Sequence, residues 1–426
     1  MRGAKATALN LGTPLKGAET EWLGDVSMSE PEYLPLDDRV AALRTETPGC
    51  AHVTHFNHAG SSLPPQPVLD ATIEYLRLEA EIGGYEAAER EMPRIEAVYS
   101  SIARLLNAAP DEIALVENAT RGWDMAAYAI PFQPGDRVLT TAAEYGSNVI
   151  ALLQIAKRGV RIEVIPSDDL GQVDVAALRG MLDERVRAVF VTHMPTNGGL
   201  LQPAEAIGDA LRGHPALYVL DACQTAGQVP LDVERIGCDV LSATSRKYLR
   251  GPRGVGFLYV RRARIAALEP PLLDNHAATW VAADRYEVRG DARRFENWES
   301  YVAGRLGLGA AVDYALDLGL PAIWDQVRGQ ADRLRIALRA IPGVAVHDLG
   351  AVQGGIVTFT HAGFTPGAIK ERLAADRINV SISEVTSTRY DMEARQLDQL
   401  VRASVHYLTT DDESARLCET VEMMRG

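Results

Sequence analysis

The sequence predicts an α/β fold, with a mostly parallel, helix-covered sheet in a large domain and a smaller α+β domain after it. Two observations carry that expectation. Between residues 111 and 260, short apolar runs alternate with helical patterns. Strands buried on both faces are apolar throughout, so they read as continuous runs rather than as alternation. Beyond residue 302 a long helical pattern is followed by a second alternation of helix and strand. The expected organisation is an extension and part of the small domain over 1–55, the large domain over 56–300, and the small C-terminal domain over 301–426.

The elements follow in order. The first 30 residues, rich in Gly, Ala, Thr and Glu, are expected to be a flexible extension. Helical apolar spacing marks 64–80 and 93–107, the latter through Ile95, Val98, Ile102 and Leu105. Between them, Gly83-Gly84-Tyr85 has the composition of a helix C-cap. Strands are expected at 112–116, 138–140, 162–165, 188–191, 216–220, 239–242 and 257–260. A helix follows over 302–318, and 355–359 and 401–405 read as strands of the smaller domain. There is no internal repeat and no low-complexity run.

Composition narrows the function. A chain of 426 residues, 47% hydrophobic, is long enough for two cores. A net charge of −14 argues against nucleic acid as a partner, because like charges repel. Four cysteines without regular spacing point to a reducing cytoplasm and no disulfide framework. No apolar run is long enough to span a membrane and no signal peptide is apparent, so a cytoplasmic enzyme is expected.

The chemistry centres on Lys247, on a connection between two apolar runs and close to a glycine-rich turn. Burial favours the neutral, nucleophilic amine, although a lysine there also fits a solvated loop. Asp221 stands at the carboxyl end of the 216–220 run, where ligands collect in open α/β sheets, and Gln224 follows it. A carboxylate kept ionised there needs a cationic partner; as an alternative, it caps the next helix. Asn118, Ala119, Thr120 and Arg121 lie at a strand-to-helix junction whose free N–H groups suit a phosphate. Thr120 there also fits a plain N-cap. The glycines of 251–256 precede a strand, which disfavours a dinucleotide fingerprint. His52, His55 and His58 lack acidic or cysteine ligands beside them, so no metal is expected.

Taken together and in this order, these residues resemble the aminotransferase class V branch of the fold type I pyridoxal-phosphate enzymes, over about residues 55–420. That branch includes cysteine desulfurases, kynureninases and isopenicillin-N-epimerase-like proteins. The resemblance implies a fold type I architecture with a seven-stranded sheet, pyridoxal 5'-phosphate as cofactor, a small amino-acid substrate and a homodimer. It gives Lys247 the covalent hold on the cofactor and the transfer of the substrate α-proton, Asp221 the pyridine nitrogen, and Gln224 the phenolic oxygen. It makes Tyr145 the ring-stacking position. It places Ala119, Thr120, Arg121, Thr244 and Arg246 around the phosphate, and sets Arg402 on the substrate carboxylate as a bidentate clamp. His58 and Ala59 would border the substrate pocket. Tyr85, on a stretch that relatives place across the subunit interface, would reach the substrate too.

Departures from the pattern sharpen the expectation. Desulfurases stack histidine where Tyr145 stands, and carry a nucleophilic cysteine on the loop before the carboxylate-binding arginine. The corresponding segment, 380–390, has none, so no persulfide forms there; Cys223 reads as packing. Asn297-Trp-Glu-Ser-Tyr301 replaces a motif that touches the partner's phosphate in relatives. Stretches 79–85 and 245–256 look like hercynylcysteine sulfoxide lyases and the lincosamide-pathway enzymes that process cysteine S-conjugates. The expected activity is therefore a carbon–sulfur lyase acting on a cysteine S-conjugate in natural-product biosynthesis. Its rivals are decarboxylation with oxidative deamination of the same substrate, transamination, epimerisation, and a non-catalytic cofactor-binding protein.

Overall fold

A computed structural model describes residues 36–424; the expected N-terminal extension lies outside the described residues. The main sheet has seven strands: β1 (Ile113–Val116), β2 (Arg137–Thr140), β3 (Arg161–Val164), β4 (Val186–Thr192), β5 (Leu217–Asp221), β6 (Val240–Thr244) and β7 (Gly256–Val260). Their order is β1-β7-β6-β5-β4-β2-β3, and only β7 runs antiparallel to its neighbours. The central strands β5, β6 and β7 are buried at every position, which is why they read as unbroken apolar runs. Register aligns their carboxyl ends: Thr192 pairs with Asp221, and Asp221 with Ser242. The ends of β4, β5 and β6 therefore form one rim, the usual place for a ligand in an open parallel sheet.

Helices α1 (Gln66–Ile82) and α2 (Gly84–Leu106) pack with the later α5, below, in a separate layer. Gly83 caps α1 and opens α2 at φ 98°, a conformation that glycine adopts without the Cβ penalty. Helix α2 begins nine residues before the expected start at Pro93, which lies inside it. Proline removes one backbone donor and leaves the Glu89 carbonyl without its helical partner, and both Pro93 and Glu89 lie on the exposed side of the helix. Helices α3 (Ala119–Ala129) and α4 (Gly146–Ala156) leave the strands at the rim. Helix α5 (Val302–Leu318) occupies the expected span and is buried along most of its length.

A second, four-stranded antiparallel sheet follows: β8 (Val344–Val346), β9 (Ile356–His361), β10 (Ser381–Glu384) and β11 (Gln399–Ser404), in the order β8-β9-β11-β10. The segment just after residue 53 meets this part of the chain from the other end: Thr54 and His55 form a separate two-stranded parallel sheet with Ile378 and Asn379, and Asn57 makes an isolated bridge to Ser404 of β11. Among the described residues, no single helix is long and apolar enough to cross a membrane.

Candidate active site

Asp221 ends β5 with its side chain buried (5% exposed). Its Oδ1 accepts the Cys223 N–H at 2.9 Å, and its Oδ2 accepts Asn148 Nδ2 at 3.0 Å. Lys247 lies on the turn between β6 and β7, which the antiparallel return of β7 creates. Burial lowers the Lys247 ammonium from its ordinary value; Cys223 and Asp221 oppose that shift, and Arg246 and Arg402 add to it. A lysine in this state gives up its proton more readily than one in water, as a nucleophilic amine requires.

Asn118 caps helix α3, where Thr120 alone was the sequence candidate: its side chain accepts the Arg121 N–H at 2.9 Å, and its carbonyl accepts the Gly122 N–H at 3.1 Å. The first N–H groups of a helix have no partner within it, so those of Ala119 and Thr120 remain to serve an anion. Asn118, Ala119, Thr120, Tyr145, Asp221, Gln224, Thr244, Arg246 and Lys247 line one cavity of about 190 Å³. Eight of the nine cofactor positions expected from the sequence are thus brought together. Arg121 is the ninth; it is half-buried on α3 and does not line the cavity.

Arg402 comes from β11 and is 7% exposed. Its Nη1 donates to Thr196 Oγ1 at 2.5 Å and to the Thr196 carbonyl at 3.3 Å, and its Nη2 to Asn57 Oδ1 at 3.4 Å. Its Nε is buried with no acceptor, and none of its hydrogen-bond partners is a carboxylate. Burial presses the guanidinium down to about 10, which still leaves it charged at neutral pH. A buried, anion-free arginine beside a cavity is the chemistry of a carboxylate receptor.

The segment 57–62 closes the space between the two sheets. Ala59 takes part through its backbone: its N–H donates to Ser404 Oγ at 2.9 Å, and its carbonyl accepts Gln224 Nε2 at 3.1 Å. Gln224 Oε1 is buried without a partner. The Arg246 guanidinium donates to the Gly60 carbonyl, and the Ser62 N–H to the Arg246 carbonyl at 2.8 Å. His58 is fully buried but sits apart from the cavity lining, its Nδ1 3.0 Å from Ser62 Oγ and its ring 4.8 Å from that of His406. Tyr85 stands at the start of α2, 78% exposed and not among the cavity-lining residues.

Cys223 was read from the sequence as packing, yet it lines the cavity. Burial, with the charge of Asp221 behind it, pushes its thiol up to about 12. It is therefore protonated at neutral pH and is no thiolate nucleophile. Thr192, Met194 and Thr196 also line the cavity and were not singled out in the sequence. They lie at or just beyond the carboxyl end of β4, so the strand-end rule that marked Asp221 marks them too.

Residues 54–417 match the aminotransferase class-V family. A probable cysteine desulfurase of Methanothermobacter thermautotrophicus is 28% identical over 394 residues, spanning 91% of this chain and 98% of that protein. A probable cysteine desulfurase of Xylella fastidiosa is 30% identical over 341 residues, 75% of this chain and 81% of that one. Among solved structures, the apo cysteine desulfurase of Thermococcus onnurineus superposes with a TM-score of 0.84 at 26% identity, covering 90% of this chain and 97% of that chain. The cystine C–S lyase C-DES, solved in complex with its reaction product cysteine persulfide, superposes with a TM-score of 0.80 at 26% identity, covering 89% and 100%. With the match spanning most of its length, the chain belongs to the aminotransferase class-V family.

Proposed function

We propose that this chain is a pyridoxal 5'-phosphate-dependent carbon–sulfur lyase that cleaves the Cβ–S bond of a cysteine S-conjugate in the biosynthesis of a sulfur-containing natural product. The coarser part, a class V enzyme using pyridoxal phosphate to break a carbon–sulfur bond of a cysteine-type substrate, rests on the family and its solved members. The residues fit that cofactor. Lys247 is a desolvated amine, Asp221 a buried carboxylate for a cationic ring nitrogen, and the start of α3 with Thr244 and Arg246 a phosphate cradle. Gln224 retains a second N–H to donate to the ring oxygen.

When bound, the cofactor supplies an electron sink for charge developing at the substrate α-carbon. Arg402 holds the substrate carboxylate, with its fork set by Thr196 and Asn57. Lys247 Nζ takes the α-proton. The bond from Cβ to sulfur then breaks, sulfur leaving with the electron pair. The resulting enamine consumes one water and yields pyruvate and ammonia.

The finer part rests on one observation: no ionised thiol stands where sulfur would be stored. The 380–390 segment contains no cysteine, and the Cys223 thiol is held protonated. Direct expulsion of a thiolate or sulfenate needs no protein thiol. Mass spectrometry of products from a panel of S-substituted cysteines tests this reading. Pyruvate and free thiol in equal amounts are expected. An aldehyde with carbon dioxide would establish decarboxylation with oxidative deamination instead, and a keto acid retaining sulfur would establish transamination.

A further inference from the structure

Behind Asp221 lies a second buried carboxylate that the mechanism above does not use. Glu144 is 1% exposed, on the loop between β2 and α4. Its partners are all neutral: Thr140 Oγ1 at 3.1 Å, the Tyr145 N–H at 3.0 Å, Asn148 Nδ2 at 2.9 Å, and the Thr192 hydroxyl. Asn148 Nδ2 also donates to Asp221 Oδ2 at 3.0 Å. An amide nitrogen carries two hydrogens, so one neutral group bridges the two carboxylates. Cys223 and Lys247 are the titratable groups that face Asp221 from the far side.

Four donors around one carboxyl suit the ionised form, which only accepts. Burial opposes it and moves Glu144 up from its ordinary value; the bonds from Thr192 and Asn148 pull it back, and the charge of Asp221 adds to the rise. A cation placed against Asp221 would relieve that repulsion. If Glu144 only anchored its loop, a neutral amide of the same shape would serve equally well. The bridge to Asp221 is what a loop anchor does not require.

We propose that Glu144 is a positioning residue: through Asn148 it fixes Asp221, and its negative charge raises the proton affinity of the cofactor ring nitrogen held there. This rests on the cofactor reading above. The test is NMR of the holoenzyme loaded with pyridoxal 5'-phosphate carrying ¹⁵N in the ring, titrated with pH. In Glu144→Gln the ring nitrogen should lose its proton at a pH about one unit lower than in the wild type, the size of effect a nearby charge produces. Glu144→Asp, which keeps the charge, should recover part of the shift. Thr140→Val, which removes one hydrogen bond to Glu144 and keeps the charge, should titrate as the wild type. A Glu144→Gln enzyme titrating with the wild type, or a Thr140→Val enzyme shifted as far as Glu144→Gln, would overturn the proposal. Failure of the wild type to take up cofactor would overturn the functional reading instead.

Discussion

The Arg402 guanidinium makes its closest hydrogen bond, 2.5 Å, to the hydroxyl of Thr196, a neutral group, and its buried Nε has no acceptor. The arginine is positioned by partners that do not neutralise it. That arrangement stores the electrostatic attraction for an incoming carboxylate, and the first prediction follows from it.

Arg402→Ala should weaken substrate binding by about 2–5 kcal/mol, because the carboxylate is left unpaired in a partly desolvated pocket. Arg402→Lys should recover only a fraction, since a point charge cannot reproduce the planar fork. Steady-state KM for the substrate is the measurement, and equal KM values for wild type and Arg402→Ala would contradict the assignment.

Lys247→Ala should yield a protein that holds the cofactor without a covalent bond. Borohydride reduction of the wild type followed by peptide mapping should place the label on Lys247. Label on Lys157 or Lys370 would place the reactive amine elsewhere.

Each of the four cysteines should be replaceable by alanine without loss of turnover. Cys223→Ala is the decisive variant, because its thiol borders the cavity. If this substitution abolished sulfur release while cofactor absorbance persisted, a persulfide route would replace direct elimination.

Acid should destabilise the fold through its buried histidines. His193 is pushed down to about 4 by burial, and His58 and His406 fall well below the ordinary value. The unfolded chain binds protons at these positions near pH 6.5, the folded chain only at lower pH. Stability therefore falls as pH drops through 6.5 and continues to fall until the folded-state value is passed. His193 alone accounts for about 2 kcal/mol between pH 7 and 5. Urea denaturation of wild type and His193→Gln at both pH values should give a smaller loss in the variant.

The assembly is expected to be a homodimer with its active sites near the interface. Tyr85 and Trp298, 78% and 61% exposed, lie on the stretches expected at that contact, and large exposed aromatics favour association. Light scattering that finds a fully active monomer would refute this.

What the sequence made legible was set by local rules. Lys247, Asp221 and Thr120 stand where a strand ends or a helix begins, and such junctions are visible as changes of pattern. Helix α5 was legible as a long apolar run of Leu, Ala, Val and Gly that ends at Gly319. Glu144 and Asn148 flank Tyr145, which the resemblance marked, but nothing local indicates that Asn148 turns toward a residue 73 positions away. Asn57 was missed for the same reason, being 345 residues from the arginine it holds. Pro93 misled because its cost depends on which face of the helix meets water, and that is decided by tertiary packing.

The pairing of Thr54 and His55 with Ile378 and Asn379, and of Asn57 with Ser404, also sets a timetable for synthesis. One of the first described segments to leave the ribosome has its partners near the last, so it must wait unpaired while more than three hundred residues are added. The strands and helices between can form as they emerge, since their contacts are nearer in sequence. Ala59 meets Ser404 only at the end. A nascent chain stalled before residue 404 should therefore have a folded main sheet and an open pocket, unable to bind substrate until translation is nearly complete.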